Sequence, residues 1–291
     1  MAIDLTRSIR TAEEIAGLDA LDLGGGRARS RAEKVWSATW PKLAAVGIAL
    51  GIWQVVVWSG WKPEYILPGP APVFEDLARQ VQTAHFWSAV ATTGRRALMG
   101  FAFATVLGLI IGVAVSRSKV LRTAVGSFIT GLQTMPSIAW FPLAMVLFKI
   151  SEGAIFFVVV LGAAPSIANG VISGVDYVSP VLKRAGQNLG ARGLALYRYV
   201  IGPASLPAIV SGLKQGWAFA WRSLMAGELI VAIANRPSLG VNLAEARNFS
   251  DYAGLLANMI VILIIGIIVD ALFNLVNDRI RRRWGLADVT H

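Results

Sequence analysis

Six stretches of mostly apolar residues recur along the chain, at 43–59, 97–115, 125–148, 154–175, 208–232 and 255–276. A helix needs about 20 such residues to cross the hydrocarbon core of a bilayer. A chain built this way has lipid as its main solvent, and the expected fold class is all-α, a polytopic membrane protein with six transmembrane helices. The composition agrees, since 55% of the 291 residues are hydrophobic and 15% are charged. An ordinary water-soluble domain carries about 25% charged residues.

The same composition removes several kinds of chemistry. There are no cysteines, so disulfides, thiolate metal sites and thiol nucleophiles are excluded, and the only histidines are His85 and the terminal His291. A formal charge of +10 could point to nucleic acid. The aromatic-interleaved basic surface of an RNA binder is missing, however, and membrane proteins accumulate Lys and Arg for topological reasons.

Counting those cations orients the chain. With the N-terminus inside, the internal segments hold 18 Lys and Arg, the external ones 7, and Lys214 and Arg222 fall within the fifth span. The bias predicts both termini in the cytoplasm. Arg95 and Arg96 fit this scheme worst, because they sit at the outer end of the second span. Residues 1–41 read as a cytoplasmic tail and linker, 42–284 as the membrane domain and 285–291 as a short cytoplasmic tail. The first 35 residues mix charges of both signs and lack the apolar core of a signal peptide, so the N-terminus is expected to be retained. Within the tail, 4–23 suits a short amphipathic helix. The triple glycine from Gly24 lacks the Gly-Lys-Ser/Thr that would make it a phosphate loop.

Between the fourth and fifth runs the chain turns polar, reading KRAGQNLGARGLALYRYVIGPASLP with four cations. Residues 181–189 suit a short helix, Gly190 permits a turn, and 194–201 resume helical spacing until Pro203 and Pro207 end it. The small pair Ala185 and Gly186 would let another protein surface come close. A solvated loop would account for the charge equally well.

This segment resembles the EAA loop of ABC importer permeases, with Arg184-Ala185-Gly186, three residues, Gly190, Ala191 and later Pro203. Arg184 stands where that family usually has Glu, and Gly186 where it has a second Ala. YILPGPAPVFEDL, LQTMPSIAWFPLAMVLF and AWRSLMAGELI extend the likeness to the branch that imports sulfonates, taurine and nitrate. The resemblance implies a type I ABC importer permease fold in a bacterial inner membrane, with a cytoplasmic coupling helix. It implies a second copy of the permease, two ATP-binding cassette subunits that hold the ATP and Mg, and an extracytoplasmic solute-binding protein. It implies no nucleic-acid partner, and a transport subunit rather than an enzyme. No GxxxxGK[ST] is present, which places hydrolysis in another chain. The candidate ATPase-coupling residues are Arg184, Ala185, Gly186, Gly190, Ala191 and Pro203.

A solute path needs polar groups at membrane depth, where they are costly unless they face a cavity or a partner helix. The fourth span sets Gly162, Ser166, Asn169, Ser173 and Asp176 on one helical face. Tight helix packing explains the small residues as well as a pathway does. In the third span Gln133 and Ser137 share a face, Pro136 and Pro142 interrupt the backbone, and Trp140 could gate or fill the core. The fifth span aligns Lys214, Trp217, Trp221, Met225 and Glu228, beside a second stripe of Ser211, Gln215 and Arg222. Arg222 calls for a carboxylate or an anionic solute, with Glu228 or Asp270 as possible partners. The expected pathway set is Gln133, Ser137, Trp140, Ser166, Asn169, Trp221, Arg222 and Glu228, and the expected solute an aliphatic sulfonate, taurine or nitrate. An ion-coupled secondary transporter working without an ATPase is the alternative. It expects inverted repeats, which the two halves do not display. A membrane hydrolase is disfavoured by the absence of HExxH and GxSxG.

Overall fold

A computed structural model describes residues 31–283, and every element among them is helical. The chain divides into two compact units, Met1–Trp61 and Lys62–His291. In the first, α1 (Arg31–Trp58) contains a membrane-length segment, Thr39–Trp58, whose Leu43, Ile48, Ile52 and Val55 are all exposed. Apolar side chains left uncovered over a membrane-length helix suit lipid.

The second unit starts with α2 (Pro70–Val81), short and amphipathic, with Pro70 at its first turn where no N–H is missed. Then α3 (Ala84–Arg117) begins at Thr83, whose side chain accepts from the Phe86 N–H. After α3, α4 (Lys119–Thr134) is capped by Ser118 and runs to a break at Met135 and Pro136. A 3-10 turn, Ser137–Trp140, leads into α5 (Phe141–Phe148). The third apolar run is therefore two helices bent by 104°, where one continuous span was expected. The prolines explain the break: Pro136 disfavours helical geometry at Met135, and neither ring nitrogen can donate.

The bent pair still crosses the membrane domain once. Arg122, near the start of α4, pairs with Asp176 at the end of α6 (Glu152–Asp176) at 2.8 Å. The end of α5 lies only three residues from Glu152 at the start of α6. So α4 and α5 together cover the length of α6 in the opposite direction, roughly 38 Å at 1.5 Å per residue. Candidate spans thus number five long helices, or six with this bent pair.

At the core lies α6, packed between α3 and α8 (Leu194–Ile230). Small residues set the spacing. On α3, Gly100, Ala104, Gly108 and Gly112 recur every four residues, and a Cβ added at Gly108 or Gly112 would fall under 3 Å from Ile167 or Val171. On the other side Gly170 of α6 meets Gly212 of α8, where an added Cβ would come within 2.7 Å of the opposite Cα. In lipid, where burial of apolar surface gives little net drive, such close backbone approach is what holds helices together.

Between α6 and α8 sits α7 (Pro180–Asn188). The prolines at 203 and 207 do not end the helix, as the sequence suggested; α8 runs through both. It does so by widening to a π turn at Tyr197–Ile201. Pro203 has no N–H for the Tyr199 carbonyl, and the wider turn accommodates that missing bond. The fold closes with α9 (Leu239–Asn248) and α10 (Tyr252–Arg283).

Candidate functional site

The two ends of the α6–α8 pair are built differently. At the end carrying the α8–α9 connection, four elements meet in a buried polar cluster. Glu228, in the last turn of α8, is fully buried; its Oε1 accepts from Arg96 Nη1 at 3.0 Å, and its Oε2 from Thr93 Oγ1 at 2.9 Å and the Gly240 N–H at 3.1 Å. Thr93 Oγ1 in turn accepts the Leu239 N–H at 3.0 Å. Gly240 presses directly on Glu228, where any Cβ would collide. The Arg96 side chain, 1% exposed, also reaches Glu152 at 3.3 Å. That same Glu152 oxygen takes Arg95 at 3.3 Å and Arg236 at 2.7 Å.

Three guanidinium groups thus share two carboxylates, leaving one positive charge in excess within this cluster. Arg95 and Arg236 are half exposed and face outward. Beside them a cleft of about 520 Å³ is lined by His85, Arg236, Asn242 and Glu245 among others. Breaking the inner pair would strand a buried charge, which is far more costly than the pair is stabilising.

Sequence reasoning sought a partner for Arg222 in Glu228 or Asp270 and set Arg95 and Arg96 aside. The structure pairs Glu228 with Arg96, and Asp270 with Lys214 at 3.0 Å. The missed signal was in the charge count: two cations sat on the wrong side of the topology, and one carboxylate in the fifth span had no neighbour. Arg222 has no acidic partner among the described residues; it is exposed, with its guanidinium 5.2 Å from the Phe219 ring. Ser211 and Gln215 on the same stripe are exposed too.

The other expected pathway residues fall into two groups. Ser137, where the bent pair resumes, and Ser223 both lie against Gly162, and a Cβ at Gly162 would strike the Ser223 hydroxyl. The hydroxyls of Ser223 and Ser166 and the Gln133 amide nitrogen are buried without a hydrogen-bond partner among the described residues. Trp140 is half-buried against the core, as is Trp221, which stacks on Trp217 at 6.1 Å between centroids. Asn169, by contrast, is exposed.

At the opposite end α7 projects into the open. Arg184, Ala185 and Gly190 are exposed and Ala191 is partly so, while Gly186 is buried. A Cβ on Gly186 would come within 2.7 Å of Val200 and 3.1 Å of Leu196. The missing side chain is therefore used inside the chain, to seat α7 on the π turn of α8. Gly190 and Gly193 have φ of +87° and +53°, a conformation open to glycine at little cost. Pro203 follows the π turn by two residues. The seat fits α7 against Leu196 and Val200 at the base of α8, whose far end carries Glu228.

The family of binding-protein-dependent transport system inner membrane components matches residues 104–282. The chain belongs to that family. Among the curated relatives of this permease, the taurine transport system permease protein of Escherichia coli K12 is 28% identical over 243 residues, covering 79% of this chain and 87% of that protein. A second protein of the same organism, whose name assigns it to aliphatic sulfonates transport, is 29% identical over 247 residues, with 85% and 92% covered. Among solved structures, an inward-facing MetNI methionine ABC transporter aligns with 68% of this permease and 95% of its own chain, at a TM-score of 0.55 and 21% identity. That likeness is one of fold. The permease is accordingly a multi-pass inner-membrane transport subunit, all-helical, as its apolar runs required.

Proposed function

We propose that this permease carries a small organic anion, an aliphatic sulfonate or taurine, across the inner membrane toward the cytoplasm, driven by separate ATPase subunits that grip α7. The observation that carries this reading is the seating of α7: an exposed helix with positive-φ glycines after it, pressed through Gly186 onto the π turn of α8. Closure of two ATPase subunits on two copies of α7 would tilt the bases of two α8 helices and alternate access to a path between the copies. Both termini lie in the cytoplasm in this arrangement, and the 232–254 connection faces the solute-binding protein.

The charge pattern suits an anion. Arg222 projects from α8 without a carboxylate, and the cluster of Arg95, Arg96 and Arg236 exceeds its acids by one. A planar guanidinium matches the oxygens of a sulfonate. The ion-coupled alternative would use Glu228 and Asp270 as coupling carboxylates, and each is already held by a cation. Proteoliposomes containing the permease, its ATPase subunits and its solute-binding protein supply the test. ATP-dependent accumulation of taurine or an alkanesulfonate is expected, and ion-driven uptake by this chain alone would overturn the reading.

A further inference from the structure

A groove of about 440 Å³ lies between α3, α4 and α6, and its lining is entirely apolar. It is wide enough for a slender hydrocarbon and offers no partner for a polar ligand. Its two walls end alike. On α3 the helical row Ile110, Ala114 runs on to Arg117, and on α4 the row Ile129, Val125 runs on to Arg122. Ser118 joins those two ends, so both arginines stand at one corner. We propose that this groove binds one acyl chain of an anionic phospholipid, with its phosphate held at the corner by Arg122 and Arg117.

The corner is cationic in balance. Arg122 gives Nη2 to Asp176 at 2.8 Å and to the Ser116 carbonyl at 3.5 Å, and its Nη1 and Nε have no partner among the described residues. Arg117 lies over the Tyr197 ring at 4.7 Å and has no acidic partner among the described residues, so the two arginines share the single carboxylate of Asp176. Asp176 is the opposing charge. Lys183 and Arg184 of α7 are at the same end, close to Asp176 in the chain. A second copy of the chain laid on this groove would set like charges against one another, whereas a phosphate complements them. Basic pockets between membrane helices on the cytoplasmic side take acidic headgroups in this way. Only the assignment to the cytoplasmic leaflet rests on the orientation proposed above.

Native mass spectrometry of the full chain, with the subunits that copurify with it, tests the site directly. Equimolar phosphatidylglycerol and phosphatidylethanolamine of matched chains are added in mild detergent. One lipid per copy is expected, with phosphatidylglycerol favoured by roughly ten-fold, as about two arginines near a headgroup allow. Arg117→Gln with Arg122→Gln should bring the two lipids to near-equal occupancy. Ala114→Trp, at an exposed position on the groove wall, should remove both lipids without moving the thermal midpoint. Equal retention of the two lipids by the unmodified chain overturns the proposal. So does an undiminished lipid count in Ala114→Trp, including the case where that variant instead weakens association between copies. Because the readout is bound lipid, a failure of solute uptake leaves it unaffected.

Discussion

The two ends of the α6–α8 pair use charge oppositely. At the α9 end, Arg96 and Glu228 are withdrawn from solvent and tie four elements together. At the α7 end Arg184, Arg192 and Arg198 are exposed, and the chain holds α7 by the fit of Gly186 against Leu196 and Val200 and by a hydrogen bond from Lys183 Nζ to the Val175 carbonyl. Buried charge with every carboxylate oxygen bonded makes a rigid joint, since any opening exposes an uncompensated ion to a low dielectric. A glycine seat with positive-φ turns beside it makes a joint that can rock. In the transport cycle proposed above, that difference would make α7 the moving end and Glu228 the pivot.

The pivot should fail hardest. Arg96→Met leaves Glu228 buried without its cation, and a loss of about 3–5 kcal/mol is expected. Thermal unfolding of the purified subunit reads it, along with the amount of inserted protein. Adding Glu228→Gln keeps an acceptor for Thr93 and Gly240 while removing the charge, and should recover most of the loss. A double variant as unstable as the single one would mean that the joint is not electrostatic.

Between the two ends the glycine crossing is predicted to tolerate less than its apolar setting suggests. Gly212→Val places a Cβ within 2.7 Å of the Gly170 Cα, so the helices must separate, at a cost of about 1–3 kcal/mol. Gly94→Ala, where nothing lies within 4 Å, should stabilise slightly. Equal effects from the two, measured as shifts in thermal midpoint, would remove the close crossing from the account.

The sequence made the spans legible because membrane crossing is a demand on length and apolarity, both local properties. It also exposed the weak point of the third run, since Pro136 and Pro142 act on their own neighbours. The joints were harder to see. Arg96 and Glu228 are 132 residues apart, and no spacing rule links positions on different helices. Gly186 was visible as a small residue, but which surface it served depended on where α8 began. That start was hidden, because Pro203 and Pro207 read as terminators until the π turn absorbed them.

At the α7 end the expected loss is of coupling more than of stability. Gly190 has open space around it, so Gly190→Val acts through its φ of +87°, at about 1–2 kcal/mol of backbone strain. ATP hydrolysis and solute uptake should fall out of proportion in proteoliposomes while the assembly remains intact. Gly190→Asn, better able to adopt positive φ, should retain more of the coupling. If Val and Asn behave alike, the turn is not what transmits the motion.

The smallest stability effect, and the sharpest discrimination, is expected at Arg222. It sits on α8 between the pivot at Glu228 and the Lys214–Asp270 pair, and it has neither Glu228 nor Asp270 for itself. Its contact with Phe219 is exposed, so Arg222→Ala should change stability by less than about 0.5 kcal/mol. Uptake of an anion should nevertheless drop several-fold, because an uncompensated guanidinium at membrane depth raises the local concentration of anions along the path. Arg222→Lys keeps the charge and loses the planar fork, so it should fall between the two. Falls of equal size in uptake and in thermal midpoint would make Arg222 part of the frame, and would leave the cluster of Arg95, Arg96 and Arg236 as the remaining attraction for an anion.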